Sequence, residues 1–208
     1  MWVGTQKGVI TIKNDEIQEC PNEDLKEANV FTIQVDQFGG VWFGTPKDGL
    51  LRLQDNKVIK YNEKSGLHAN SIRCLAEDST HQILLIGSLS GLNYYDFKTD
   101  KIESIQVNTD ANAVNTITDC LVLPDGTYWI SKFSGYLYHY KYENNKFKLI
   151  TSIHKIGTAK NIWTLYHDIE DNLWLGTVDF GLFKFNGFRF WNYSQEKDGL
   201  QSNSVYAI

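Results

Sequence analysis

The chain has 208 residues, 42% hydrophobic, 13% aromatic and 22% charged, with a formal net charge of −5. Such a chain is long and apolar enough to bury its own core, which excludes a disordered tail. The acid excess, with no run of Lys or Arg, excludes a nucleic-acid backbone as partner, since counterion release needs a concentrated cationic face. No stretch approaches the roughly 18 apolar residues of a membrane helix, so these residues are expected to make no membrane contact.

In chain order, Trp2-Val-Gly-Thr5 is the first of five related tetrapeptides, followed by Trp42-Phe-Gly-Thr45, Leu85-Ile-Gly-Ser88, Trp129-Ile-Ser-Lys132 and Trp174-Leu-Gly-Thr177. Their spacings of 40, 43, 44 and 45 residues are the length of four short strands with their turns, and the apolar period is two, not three or four. Upstream of the last four lie a first set of buried strands: Asn29–Ile33, Ser71–Leu75, Thr116–Cys120 and Asn161–Leu165. Asp36-Gln-Phe-Gly-Gly40, Asp125-Gly126 and Asp168-Ile-Glu-Asp-Asn172 stand between the two runs and supply residues that tolerate the positive φ of hairpin turns. Third strands follow a Gly, at Gly49–Leu53, Gly91–Tyr95, Gly135–His139 and Gly181–Phe185. Aromatic-rich outer strands at Val58–Tyr61, Phe147–Ile150 and Phe188–Trp191 alternate cations with apolar residues, which deters edge pairing.

The pattern predicts one all-β domain over residues 1–208, a β-propeller of four-stranded antiparallel blades in about five repeats. Gly199–Ile208 repeats Gly66–Leu75, so the last inner strand has no following partner, while Met1 stands directly before one. Either that strand closes a five-bladed ring on Trp2–Thr5, or the chain is a fragment of a larger propeller, the reading favoured by such blunt ends. Cys20, Cys74 and Cys120 form no C-x-x-C and are expected to be buried thiols, not metal ligands.

The repeat V-x-x-I-x-x-D-x-x-G-x-(L/V)-W-x-G-T-x-x-x-G-L, best matched by Asn29–Leu53 and Asn161–Phe185, resembles the two-component regulator propeller repeat. Leu85, Leu123 and Ser131-Lys132 depart from it in the third and fourth units. The resemblance is to the periplasmic sensor region of hybrid two-component histidine kinases of gut Bacteroidetes. It implies a periplasmic segment of a parent anchored in the inner membrane, itself no enzyme, sensing oligosaccharides. Its implied partners are adjoining propeller or sensor domains of the parent or a second copy of the chain in a homodimer. A lyase or glycosidase propeller is the first alternative, through Asp119, Glu77 and the likeness of the W-x-G-T blades to streptogramin lyases. A protein-binding scaffold is the second.

Trp2, Trp42, Trp129 and Trp174 recur in one strand slot and are expected to fill the space between neighbouring sheets, with Gly44, Gly87 and Gly176 admitting the next blade. Function is expected where the repeats differ, on loops at one end of the blades. There Asn115 and Asn161 belong to a ring of amides that either meets sugar hydroxyls or caps its own backbone. Arg73, Trp163 and Tyr206 occupy a slot that varies from blade to blade. Lys47, Asp48, Lys132 and Asp179 add loop charge, whose default state is solvated. Asp119, a lone charge among small residues, is expected to line a wet channel. His68, His81, His139, His154 and His167 show no metal-ligand spacing, and neither a catalytic set, a metal nor a cofactor is expected.

Overall fold

Strand alternation resolves into nineteen strands in a computed structural model that describes residues 1–20, 22–107, 115–154, 156 and 161–208. The first sheet is β1 (Trp2–Thr5), β2 (Gly8–Lys13) and β3 (Glu16–Glu19). The second is β4 (Thr32–Val35), β5 (Val41–Gly44), β6 (Leu50–Gln54) and β7 (Lys57–Tyr61). The third is β8 (Ile72–Asp78), β9 (Ile83–Ser88), β10 (Gly91–Asp96) and β11 (Lys101–Ile105). The fourth is β12 (Ile117–Val122), β13 (Thr127–Lys132), β14 (Leu137–Glu143) and β15 (Lys146–Ile153). The fifth is β16 (Ile162–His167), β17 (Leu173–Thr177), β18 (Leu182–Phe185) and β19 (Phe190–Tyr193). Each sheet is an antiparallel meander in chain order, three strands in the first and four in the others. The fold class is that of the β-propeller, built from four-stranded blades.

Two compact units divide the chain, Met1–Val107 with the first three sheets and Asn108–Ile208 with the other two. Within the first unit, Val9 and Cys20 pack on Val41, Phe43 and Leu51, and on the far side of the second sheet Trp42 and Leu50 pack on Ile72, Leu84, Ile86 and Tyr95. In the second unit, Trp129 and Leu137 meet Ile162, Leu165, Leu175 and Phe183. The core therefore lies between successive sheets, which is why β5 and β9 are buried on both faces while β3 is exposed along its length. Cys20, Cys74 and Cys120 are buried thiols.

The W-x-G-T tetrapeptide joins one sheet to the next. A Cβ on Gly44 would stand 2.7 Å from Ile72 Cγ2 of the following sheet, so glycine sets that spacing. Thr45 closes its own loop by donating its hydroxyl to Gly49 O (2.9 Å), while its carbonyl accepts the Ile72 amide (2.8 Å) and the Gly49 amide donates to Asn70 O (3.0 Å). Gly49 itself has φ +82° and a Cβ there would fall 2.1 Å from Tyr61 O. The same latch recurs as Thr5 with Val30 and as Thr177 with Val205, together with Gly181 N–H to Asn203 O (2.7 Å).

Three sequence expectations shift. The strand expected from Asn29 begins at Thr32, because the Val30 amide is turned to Thr5 O of the preceding sheet. Residues 199–208, expected to end in an inner strand, carry none, and the Val205 amide is turned to Thr177 O of the fifth sheet. The third sheet gains the outer strand β11, whose Lys-Ile-Glu-Ser-Ile lacks the aromatic mark of the others.

Candidate functional site

Each hairpin has a turn end and an entry end. At the turn ends, Asp36 Oδ1 accepts the Phe38 and Gly40 amides, and its Oδ2 accepts Trp42 Nε1 (2.7 Å) and Arg52 (2.9 Å). Arg52 lies 4.7 Å over the Trp42 ring, and Trp42 packs on Tyr95 and Phe97 of the next sheet. The fifth sheet repeats the arrangement with Asp168, Trp174 Nε1 (2.6 Å) and Lys184, 5.3 Å above the indole. Partial desolvation opposes charge on Asp168, but the hydrogen bonds from Trp174, Asn172 and the Glu170 amide outweigh it and hold the carboxyl well below the usual range. In the fourth sheet, where Leu123 replaces the Asp, His139 stacks on Trp129 at 4.2 Å. Trp42 and Trp174 are held on a face and at their N–H groups and Trp129 on a face, which leaves ligand chemistry to the other end.

At the entry end the first two strands of three sheets do not pair one to one. The register skips Arg73, Thr118 and Trp163, each an extra residue between Ile72 and Cys74, Ile117 and Asp119, or Ile162 and Thr164. A bulge takes its extra residue out of the ladder and re-aims the side chain. The slot that varies in the sequence is therefore a bulge that the pairing leaves free to vary.

In the first unit the slot gives a cation on an aromatic ring. Arg73 Cζ lies 5.2 Å over the ring of Phe31, a residue 46% exposed. Arg73 Nε, Asn29 Oδ1 and Ser134 Oγ are buried atoms without a hydrogen-bond partner, as is Arg52 Nε at the turn end of the second sheet. Lys47 and Asp48 are exposed beside this end, with the Asp48 amide bonded to Thr45 Oγ1.

In the second unit the slot gives an aromatic row. Phe133 meets Trp163 edge-on at 6.4 Å, and Trp163 meets Tyr206 edge-on at 5.6 Å, with Tyr206 57% exposed. Asp179 Oδ1 accepts from Ser204 Oγ (2.9 Å), which fixes the tip of the loop after β17 against the segment that carries Tyr206. The edge-on rows leave ring faces for a ligand.

No family model and no curated protein matches the chain. Solved structures do. The extracellular domain of the hybrid two component system BT4673 from B. thetaiotaomicron has TM-score 0.80 and 23% identity, over 99% of this chain and 28% of that one. That of BT3049 from the same organism has TM-score 0.72 and 20% identity, over 94% and 27%. The virginiamycin B lyase of Staphylococcus aureus has TM-score 0.69 and 14% identity, over 89% and 62%. The chain has the fold of these propellers. It spans little more than a quarter of the two extracellular domains.

Several candidates stand elsewhere than the sequence led us to expect. Lys132 is no solvated loop charge: it is 0% exposed, with Nζ donating to Asn115 Oδ1 (3.1 Å) and lying 6.0 Å from the Tyr136 ring. It occupies the slot where the other repeats place the latch Thr or Ser, so its stem runs inside the blade, and Asn115 is engaged with it. Asp119, half-buried, has both carboxylate oxygens engaged. Its Oδ2 accepts the Leu165 amide (2.7 Å) and the Thr164 hydroxyl (3.2 Å), its Oδ1 accepts the Cys120 amide (2.9 Å), and burial pushes its carboxyl up. Glu77, the other carboxylate weighed for catalysis, accepts the Gln37 amide (2.8 Å) and is likewise pushed up by burial. Both tie sheets together.

Two of the candidate amides are committed to their own loops: Asn70 Oδ1 accepts the Glu63 amide and Asn203 Oδ1 the Gln195 amide, each ordering the short helical turn ahead of it. Phe31 and Phe133 prove to stand beside the named slot residues, and the signal for them was already in the variable slot and the loop after the fourth tetrapeptide. The carboxylate clamp on Trp42 went unread, though a six-residue Asp-to-Trp spacing marks it at both Asp36 and Asp168.

Proposed function

We propose that the chain is an extracytoplasmic ligand-sensing segment of a hybrid two-component regulator and that its ligand is an oligosaccharide. The fold shared with extracellular domains of such systems supports the sensor part of this reading. The observation that carries the ligand part is the row Phe133, Trp163 and Tyr206, presented from a bulge and its flanking loops, where ring faces suit pyranose C–H groups. The turn-end indoles, by contrast, are consumed in packing. Signal would pass through altered contacts with neighbouring domains or a second copy. No helix among the described residues is long and apolar enough to cross a membrane.

Isothermal titration of the chain against plant and host glycan oligosaccharides tests this directly. A saturable heat with at least one glycan, weakened about tenfold by Trp163→Ala, is the expected result, on the scale of one lost stacking contact. Absence of heat across the panel removes the sugar reading.

A further inference from the structure

Of the arginines in the first unit, Arg52 is buried against Asp36 at 2.9 Å, whereas Arg73 makes no ion pair or hydrogen bond among the described residues. Arg73 is nonetheless half-buried, its Nε shielded from water, and its guanidinium plane is held 5.2 Å over Phe31. A partly desolvated guanidinium without an anion is unfavourable, and a protein normally pairs it. Here the bulge lifts residue 73 out of the ladder, so the ladder does not require an arginine at this position. Phe31 fixes the fork in advance, which lowers the entropy lost when an oxyanion engages it in bidentate fashion. The chain's net charge of −5 gives no general attraction for anions, so selection for one must be local.

We infer that Arg73, held by Phe31, is an acid-reading subsite of the first unit for an oligosaccharide bearing carboxylate or sulfate groups. This rests on the sugar reading above and narrows it. The same planar fork fits uronate carboxylates and sulfate esters, so both kinds belong in the test.

The test compares four probes by titration at low salt: an oligogalacturonate, its methyl ester, a sulfated oligosaccharide and a neutral cello-oligosaccharide of matched length. The expected result is tenfold or tighter binding of one acidic probe over the neutral ones, the scale of a charge-assisted hydrogen bond. That preference is lost in Arg73→Gln, partly kept in Arg73→Lys, and reduced by added sodium chloride. A preference for the oligogalacturonate assigns the carboxylate and one for the sulfated probe assigns the sulfate ester. Thermal melting of the variants confirms that they are folded. Equal binding of acidic and neutral probes, or an acid preference that survives Arg73→Gln, overturns the subsite and leaves the sugar reading standing. No binding of any probe overturns both.

Discussion

The two ends of a blade use similar residues for opposite purposes. At the turn ends, Trp42 and Trp174 are clamped at their N–H by Asp36 and Asp168 and covered by Arg52 and Lys184. At the entry ends, Trp163 and Arg73 sit on bulges, touch other rings at their edges or faces, and answer to no carboxylate among the described residues. An aromatic with a cation beside it is thus structural or available according to whether a carboxylate clamps it. Repetition alone does not separate them, since both slots recur once per repeat. What separates them is the bulge, which removes one end from the ladder and with it the demand for one residue type.

The sharpest way to break this contrast is to open a clamp. Asp36→Ala leaves a buried guanidinium and an indole N–H unpaired, and is expected to destabilise the first unit by about 3–5 kcal/mol, read by chemical denaturation. Asp168→Ala should cost less, because it leaves no buried guanidinium and its partner Trp174 is only partly buried. A loss at Asp36 no greater than that at Asp168 would mean that the clamp does not hold the sheets.

Glycines provide the next largest effect. Gly49 and Gly39 both have φ +82°, but a Cβ at Gly49 meets Tyr61 O at 2.1 Å while one at Gly39 meets nothing within 4 Å. Gly39→Ala should cost about 1 kcal/mol, the conformational penalty alone. Gly49→Ala adds displacement of the latch between sheets and should exceed the roughly 1–3 kcal/mol of a strained backbone position. Similar melting temperatures for the two would show that the latch yields freely.

The buried and clamped carboxylates should give opposite pH slopes. Asp168 is held below its ordinary value, so its contribution is complete above the unfolded pKa of about 4 and is lost as the pH falls through the folded value. Asp119 is held above its ordinary value, chiefly by burial. The folded state then binds the extra proton, and stability falls as the pH rises from about 4 through the folded value. Denaturation series across acid pH should therefore show a less positive slope of stability against pH in Asp168→Asn and a more positive one in Asp119→Asn. Changes of the same sign would contradict the assigned environments.

How much of this was legible in the sequence follows from the same division. The blades, their four-strand order and the wedge positions were readable because an apolar period of two and a recurring W-x-G-T state them in residue types. The bulge was not, for Ile72-Arg73-Cys74 and Ile162-Trp163-Thr164 read as ordinary alternation until the register is seen. Asp119 stands out in the sequence because its slot otherwise holds small residues, but its partners do not. It is bound to Leu165, 46 residues onward and on the next sheet, a distance that local pattern does not encode. Lys132 misled for the same reason: its partner Asn115 lies on the entering loop, and nothing near it in sequence announces burial.

The smallest expected effect is also the most telling. Trp42→Ala removes a fully buried indole that packs on Tyr61, Tyr95 and Phe97, and should cost about 3–5 kcal/mol. Trp163→Ala removes the same side chain from a half-buried bulge with only two edge contacts among the described rings, and should stay within about 1 kcal/mol. Arg73→Gln, which breaks no hydrogen bond or ion pair among the described residues, should move the melting temperature least of all. If the bulge residues were held as tightly as the clamped ones, Trp163→Ala would unfold the second unit as readily as Trp42→Ala unfolds the first. A near-native melting curve with altered ligand binding instead places the freedom to vary, and the selection for ligand, on the residues that the ladder skips.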